Sequence, residues 1–238
     1  MSPQIIAMGG GGFAMEPDNP LLDGYILQQA GKSDPVVCFL PTASGENDFY
    51  VRRFYSAFSL KPCRPRHLSL FAPPVDLADF VNDCDVIYVG GGNTRNLIVL
   101  WREWGLDALL RKAWENGCVL SGISAGAICW FEQGLTDSAG PLAPMNCLGW
   151  LPGSCTPHYD GEANRRPCYH RFIREGTLAA GYALDDGAAA HFIGTKLSSV
   201  VSSRPKALAY HVSLKGEQVV EESIPTHFLG ESPGLIAK

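Results

Sequence analysis

A serine flanked by two glycines is the clearest candidate for chemistry in this sequence. Ser124 stands in Gly122-Ile123-Ser124-Ala125-Gly126, between an apolar run typical of a strand and an apolar run typical of a helix. A Gly-x-Ser-x-Gly turn of this kind lets the serine hydroxyl project from the end of a sheet, where it can attack a carbonyl. The first amide of the helix would then face the developing oxyanion. The alternative is that Ser124 is a simple N-cap, although a cap does not require glycine on both sides.

A serine nucleophile also needs a general base within hydrogen-bond reach. Six histidines are available, at positions 67, 158, 170, 191, 211 and 227. His158 follows Pro157, which restricts the preceding residue to extended backbone, so we expect His158 to follow the end of a strand. His170 lies in a predicted helix, and His191 lies in an apolar run typical of a buried strand. The local pattern therefore favours His158.

The elements that must position these residues alternate between short apolar strands and helices. Strands are predicted at 5–8, 36–40, 67–70, 85–89 and 119–122, and helices at 21–29, 48–59, 95–101, 106–115 and 125–131. Apolar strands separated by helices indicate an α/β fold with a mostly parallel, doubly wound sheet and helices on both faces. Small-residue clusters follow several strands, so we expect the site at the carboxyl ends of the sheet.

The length and composition are those of a globular protein. With 238 residues, of which 46% are hydrophobic, we expect a single domain over 1–238. The net charge is -5 and the basic residues are scattered, so no nucleic-acid partner is expected. No apolar run is long enough to span a bilayer, and the first residues lack the basic start of a signal peptide. We therefore expect a cytoplasmic protein without a membrane partner.

The cysteines and the first glycine run bear on cofactors. None of the eight cysteines forms a CxxC pair, so we expect reduced, buried thiols and no metal site. Four glycines at 9–12 fit a dinucleotide-binding loop only loosely. The second predicted strand leads to Pro41 and Thr42 rather than to an acidic residue that would bind a ribose. We expect no cofactor, and we expect the glycines to line the floor of the site.

Three motifs in one order resemble the S51 peptidases, which include peptidase E and related acyl-peptide and cyanophycin hydrolases. They are Gly90-Gly91-Gly92-Asn93-Thr94, then Gly122-Ile123-Ser124-Ala125-Gly126-Ala127, then Pro157-His158. The resemblance covers most of the chain. It implies a flavodoxin-like fold similar to class I glutamine amidotransferases, with a serine where those enzymes use cysteine. It also implies Ser124 as the nucleophile, His158 as the base, and the amides of Gly92 and Ala125 as the oxyanion hole.

The resemblance further implies a carboxylate that orients the histidine. In peptidase E this is an aspartate after the nucleophile helix, and Asp137 stands at the matching place. It would hold the ring of His158 and stabilise the imidazolium. Glu132, expected near the end of the same helix, is the rival, with a solvated helix charge as its alternative interpretation.

The substrate that the resemblance implies is a short peptide, bound near Gly91 and Asn93. Aspartyl dipeptidases of the family bind a substrate aspartate with basic residues that follow the histidine. Here Arg165 and Arg166 follow a stretch that also carries carboxylates, so strict Asp-X specificity is not expected. The two arginines either bind a substrate carboxylate or are helix-surface charges.

Two other functions use the same residues or the same scaffold. One is an esterase or a hydrolase of an unusual amide, with every catalytic residue unchanged. The other is a non-catalytic protein that binds a small ligand. The sequence leaves the assembly open between a monomer and a homodimer.

Overall fold

Strands and helices alternate through the first half of the chain, and strands dominate the second half. A computed structural model describes residues 2–230. The strands are β1 (Gln4–Met8), β2 (Val36–Leu40), β3 (Arg64–His67), β4 (Val86–Val89), β5 (Val119–Ile123), β6 (Phe131–Thr136), β7 (Ala143–Asn146), β8 (Leu151–Thr156), β9 (Gly181–Leu184), β10 (Ala188–Ile193), β11 (Lys196–Ser202), β12 (Ala209–Lys215), β13 (Gln218–Ile224) and β14 (Thr226–Phe228). The helices are α1 (Gly12–Met15), α2 (Leu21–Gln29), α3 (Asp48–Phe58), α4 (Leu77–Asn82), α5 (Thr94–Glu103), α6 (Leu106–Glu115), α7 (Ala125–Ile128) and α8 (Arg165–Arg174).

The main sheet has eight strands in the order β14-β11-β10-β1-β5-β4-β2-β3. Each neighbouring pair in the series β1-β5-β4-β2-β3 is parallel, whereas β10 is antiparallel to β1. All five residues of β2 and of β5 are buried, as expected for strands covered on both faces. The predicted α/β fold class is confirmed.

The third strand was predicted at 67–70, but it lies at Arg64–His67. It is an edge strand that pairs only with β2. An edge strand tolerates Pro65 and charged side chains, since one side of its backbone needs no partner. The apolar pattern that identified its neighbours was therefore missing.

A second, mixed sheet of six strands was not expected from the sequence; its order is β13-β12-β9-β8-β6-β7. The predicted helix at 125–131 ends at Ile128, and β6 of this sheet begins three residues later. The rings of Phe131 and Phe192 join the two sheets, with their centroids 5.6 Å apart. One hydrophobic cluster contains residues of both sheets. The single domain over 1–238 stays a prediction.

The turn between β5 and α7 depends on two glycines. A Cβ atom at Gly122 would overlap the carbonyl of Gly126, and a Cβ atom at Gly126 would overlap the carbonyl of Val89 in β4. The short helix therefore approaches the sheet more closely than any side chain would allow.

We predict that Gly126→Ala lowers the free energy of unfolding by about 2 kcal/mol, because the methyl group meets rigid backbone. Gly24→Ala is the matched control in α2, where an added Cβ has no atom within 4 Å. That change should stabilise the protein by about 0.5 kcal/mol. Urea unfolding of both variants measures the difference. Equal stabilities would show that the turn tolerates a side chain.

A carboxyl group of α2 is buried beside β4 of the main sheet. Asp23 is 2% exposed, and its Oδ1 accepts a hydrogen bond of 3.3 Å from the hydroxyl of Tyr88. Burial raises the pKa of Asp23 to about 6. The neutral acid is therefore favoured in the folded chain, and its stabilising contribution is present below the unfolded pKa of about 4 and lost as the pH rises through about 6.

We predict that wild type loses about 1–2 kcal/mol of stability relative to Asp23→Asn between pH 5 and pH 8, since the amide stays neutral. Urea unfolding at several pH values measures this difference. The exposed Asp18 provides the control, because Asp18→Asn should follow the wild-type profile. Parallel profiles for wild type and Asp23→Asn would contradict a raised pKa for Asp23.

Candidate active site

Ser124 lies at the carboxyl end of β5, between that strand and α7. Its backbone has φ 57° and ψ -113°, a conformation that a non-glycine residue rarely adopts. Its amide donates to the carbonyl of Met8 at 3.1 Å, which fixes the turn against β1. Its side chain makes no capping hydrogen bond, although the residue occupies the N-cap position of α7. The hydroxyl is therefore not used for the cap that the alternative interpretation required.

His158 follows the end of β8, as the sequence predicted. Its amide donates to the carbonyl of Gly9 at 3.2 Å, and its φ is 51°. Its Nδ1 lies 2.6 Å from Oδ1 of Asp186. Both side chains are largely buried, with 15% and 12% exposed. Since Nδ1 carries the proton toward the carboxylate, Nε2 is left as the nitrogen that can accept a proton.

The carboxylate at His158 corrects the expectation of Asp137 or Glu132. Asp137 is exposed at the end of β6, and the next residue, Ser138, binds the segment that begins α5. Glu132 lies in β6 rather than on a helix, and its Oε2 accepts from the amide of Gly153 at 2.8 Å. Both carboxylates are directed elsewhere because the chain enters the second sheet directly after α7.

Asp186 reaches His158 because their strands are neighbours. β8 and β9 pair in parallel, with Thr156 opposite Ala183. His158 and Asp186 follow the carboxyl ends of these two strands. The sequence did contain a signal, since two aspartates follow the apolar end of β9, but it could be used only once β9 was known to lie beside β8.

The glycine run that follows β1 packs against this pair, although none of its four residues lines the cavity that contains Ser124. A Cβ atom at Gly10 would overlap the Asp186 carboxylate, and one at Gly161 would lie 2.5 Å from its Oδ2. The amide of Asp186 is held from the other side by Oδ1 of Asp160 at 2.8 Å. Only glycine at these two positions leaves room for the carboxylate beside the histidine ring.

Ser124 and His158 line one cavity of about 280 Å³. Its other lining residues come from the loop and helix after β1, from α3, and from the ends of β4 and β5: Ala14, Met15, Phe49, Tyr50, Arg53, Gly91 and Ile123. In the described chain no hydrogen bond joins the serine hydroxyl to the ring. Such contacts are often loose without substrate and tighten when it binds.

The predicted oxyanion hole lies beside the serine. Gly91 is so close that a Cβ atom there would be 3.3 Å from Cβ of Ser124. Its amide donates to the hydroxyl of Tyr50 at 3.2 Å and is therefore occupied. Gly92 has φ 138°, which favours glycine. Within residues 2–230 the amides of Gly92 and Ala125 donate to no protein acceptor, so both are available for a ligand.

Three residues predicted to bind substrate, Asn93, Arg165 and Arg166, make contacts within the protein. Asn93 caps α5 through Oδ1, and its Nδ2 donates to the carbonyl of Ser138 at 2.9 Å. Arg165 is buried, and it contacts Glu162 at 2.7 Å and the carbonyl of Leu135 at 2.9 Å. None of the three lines the cavity that contains Ser124.

Arg166 has a comparable role on the same helix. Its guanidinium lies 4.6 Å from the ring centroid of Tyr159 and 3.6 Å from Glu221. This arrangement ties α8 to the second sheet. Neither arginine lines the cavity that contains Ser124, so a role for them in binding a substrate carboxylate stays a prediction. The basic residue in the cavity is Arg53 of α3, which the sequence did not single out because its helix has an ordinary amphipathic pattern.

Four larger cavities lie away from Ser124 in the described part of the chain, and the two largest have volumes of about 450 and 590 Å³. The first lies at the amino ends of β4 and β5 and includes Cys84 and Cys118, and the second lies along α2. Neither of these two brings a nucleophile and a histidine together, and the cavity of about 380 Å³ that includes Ser199 and His227 has no carboxylate among its lining residues. The chemistry of the lining residues, and not the volume, therefore identifies the candidate site.

The cysteines are all unpaired, and seven of the eight are buried, as the sequence predicted. Within the described residues no group of three His, Cys, Asp or Glu side chains could hold a metal ion. In the same part of the chain, no helix combines the length and the apolar character needed to cross a membrane.

Comparisons with known proteins agree with the fold and the motifs. The profile of peptidase family S51 matches residues 5–200. The chain is 60% identical over 228 residues to the uncharacterized peptidase YgaJ of Bacillus subtilis strain 168, covering 95% of this chain and 99% of that one. It is 28% identical over 191 residues to peptidase E of Pasteurella multocida, covering 74% and 77%.

Solved structures give the same fold at low sequence identity. A peptidase from an acI-B1 actinobacterium superposes with a TM-score of 0.71 at 18% identity, covering 94% of this chain and 97% of that one. A putative peptidase E of Listeria monocytogenes EGD-e superposes with a TM-score of 0.59, covering 94% and 100%. With the family profile spanning most of its length, the chain belongs to peptidase family S51 and is a peptidase.

Proposed function

We propose that this peptidase hydrolyses short peptides through a serine acyl-enzyme, with Ser124 as nucleophile, His158 as general base and Asp186 as the carboxylate that orients the histidine. One observation carries the proposal: Nδ1 of His158 is 2.6 Å from Oδ1 of Asp186, while the same imidazole shares a cavity with Ser124. A catalytic triad needs an acid on one ring nitrogen of the base and a nucleophile near the other, and the first of these contacts is present.

In the first step, Oγ of Ser124 attacks the peptide carbonyl and its proton passes to Nε2 of His158. The carbonyl π electrons move onto oxygen and form a tetrahedral oxyanion. The amides of Gly92 and Ala125 would donate to this oxygen at the carboxyl ends of adjacent strands. Donors fixed in advance stabilise such an intermediate by several kcal/mol, about 3 for each.

In the second step, the imidazolium gives its proton to the leaving nitrogen and the scissile C–N bond breaks. A water molecule then attacks the acyl-enzyme, with His158 again taking the proton. The carbonyl is regenerated when Oγ leaves and takes that proton back. Asp186 keeps its charge throughout, because its role is to hold the tautomer and to stabilise the imidazolium.

The size and lining of the cavity support a small substrate. Its volume of about 280 Å³ suits only a few residues of a peptide. Met15 and Phe49 give part of the wall an apolar surface, and both remain partly open to solvent. The free thiols suit a reducing compartment, so the proposal includes a cytoplasmic setting.

We predict that Ser124→Ala lowers kcat by about 10⁵ or more, and that adding His158→Ala lowers it little further, because the two residues act as one unit. Dipeptide and tripeptide libraries measure turnover, and a fluorophosphonate probe measures labelling of the serine. Unchanged thermal unfolding controls for the fold. Turnover retained by Ser124→Ala would exclude the acyl-enzyme. If Ser124 is labelled and the protein hydrolyses esters but no peptide, an esterase would be favoured.

We predict that Asp186→Asn lowers kcat by about 10⁴, because the amide favours the wrong imidazole tautomer. Asp137→Asn is the matched control and should retain wild-type kcat, since Asp137 is exposed and the carboxylate that contacts the ring is that of Asp186. Steady-state kinetics on the same peptide compare the variants. Loss of activity in Asp137→Asn with retention in Asp186→Asn would reverse the assignment.

A further inference from the structure

Helix α3 presents two polar side chains to the cavity that contains Ser124. Tyr50 and Arg53 are one turn apart on the helix, and both line the cavity. Neither takes part in the proposed acyl-transfer steps. Each has hydrogen-bond donors that the protein does not use.

Arg53 supplies a charge without a protein counter-charge. Its Nη2 donates to the carbonyl of Phe13 at 3.2 Å. In the described part of the chain no carboxylate lies within ion-pair distance of it. A guanidinium has five N–H donors, so this contact leaves most of them available. Among the described residues that line the cavity, Arg53 has the only permanent charge.

Tyr50 supplies a neutral donor beside it. Its hydroxyl oxygen accepts the amide of Gly91 at 3.2 Å, and within residues 2–230 its proton has no protein acceptor. Burial raises the pKa of Tyr50 to about 12, so the hydroxyl remains a donor at neutral pH. The contact with Gly91 fixes the phenol near the nucleophile, because a Cβ atom at Gly91 would be 3.8 Å from Oγ of Ser124.

We propose that Arg53 and Tyr50 form an anion subsite that binds a carboxylate of the peptide substrate, which deepens the peptidase function proposed above. A carboxylate has two acceptor oxygens, one for the guanidinium and one for the phenol. The carboxylate belongs either to the C-terminus of the peptide or to an acidic side chain.

Matched peptides separate the two sources. One pair consists of an alanine dipeptide or tripeptide with a free C-terminus and the same peptide as its C-terminal amide. The other pair consists of amidated peptides that differ only by Asp or Asn at one position. Wild type should prefer the charged member of one of the pairs by about 10- to 100-fold in kcat/KM, since a charged hydrogen bond is involved.

Arg53→Gln should abolish this preference, mainly by raising KM for the charged peptide, so that the two members of the pair are hydrolysed with similar kcat/KM. Tyr50→Phe should reduce the preference by a smaller factor of about 3 to 10. Arg52→Gln is the matched control, because Arg52 is exposed on the neighbouring position of α3 and does not line the cavity. It should retain the full preference.

Fluorophosphonate labelling of Ser124 in each variant controls for an intact fold and nucleophile. If wild type hydrolyses charged and uncharged members equally, or if Arg53→Gln keeps the preference, the subsite is wrong while the peptidase proposal stands. If wild type hydrolyses none of the peptides and Ser124 is not labelled, both the subsite and the acyl-enzyme proposal fail.

Discussion

The hydrogen bond between His158 and Asp186 depends on two strands of the second sheet lying parallel and adjacent. β8 brings the histidine and β9 brings the aspartate to the same edge, where β1 and β5 of the main sheet also end. The serine turn is tied to this edge through the amide of Ser124 and the carbonyl of Met8, and the histidine through its own amide and Gly9. The two sheets therefore have to meet in one relative position before any of these side chains can act together.

Close packing at that edge explains why its loops consist so largely of small residues. Gly10 and Gly161 leave space for the Asp186 carboxylate, and Gly122 and Gly126 let α7 approach the sheet. Glycine at such positions has a conformational cost, which the surrounding strands offset through the buried core on both faces of the sheet. Ser124 carries a similar cost in its positive φ, and its side chain is not used in a compensating cap.

The sequence predicted the parts of the fold that have strong periodic patterns. The five buried residues of β2 and the serine turn were predicted correctly, because a covered parallel strand must be apolar throughout. β3 was misplaced because an edge strand has no such requirement. Asp137 was chosen over Glu132, and Asp186 was not considered, because the contact with His158 depends on which strands are neighbours in a mixed sheet. No local pattern in the chain encodes that adjacency, so only the topology could identify the carboxylate beside the histidine.

The arginines show the same distinction between residue type and surroundings. Arg165 and Arg166 follow the histidine in the chain, yet each has a carboxylate supplied by the protein, Glu162 for one and Glu221 for the other. Their charges are used to hold α8 in place. Arg53 is far from the motifs in the sequence, and its charge faces the cavity with no such partner among residues 2–230. A cation that has its counter-charge within the protein serves the fold, whereas one without it can serve a ligand, and for Arg53 we propose that the substrate supplies the counter-charge.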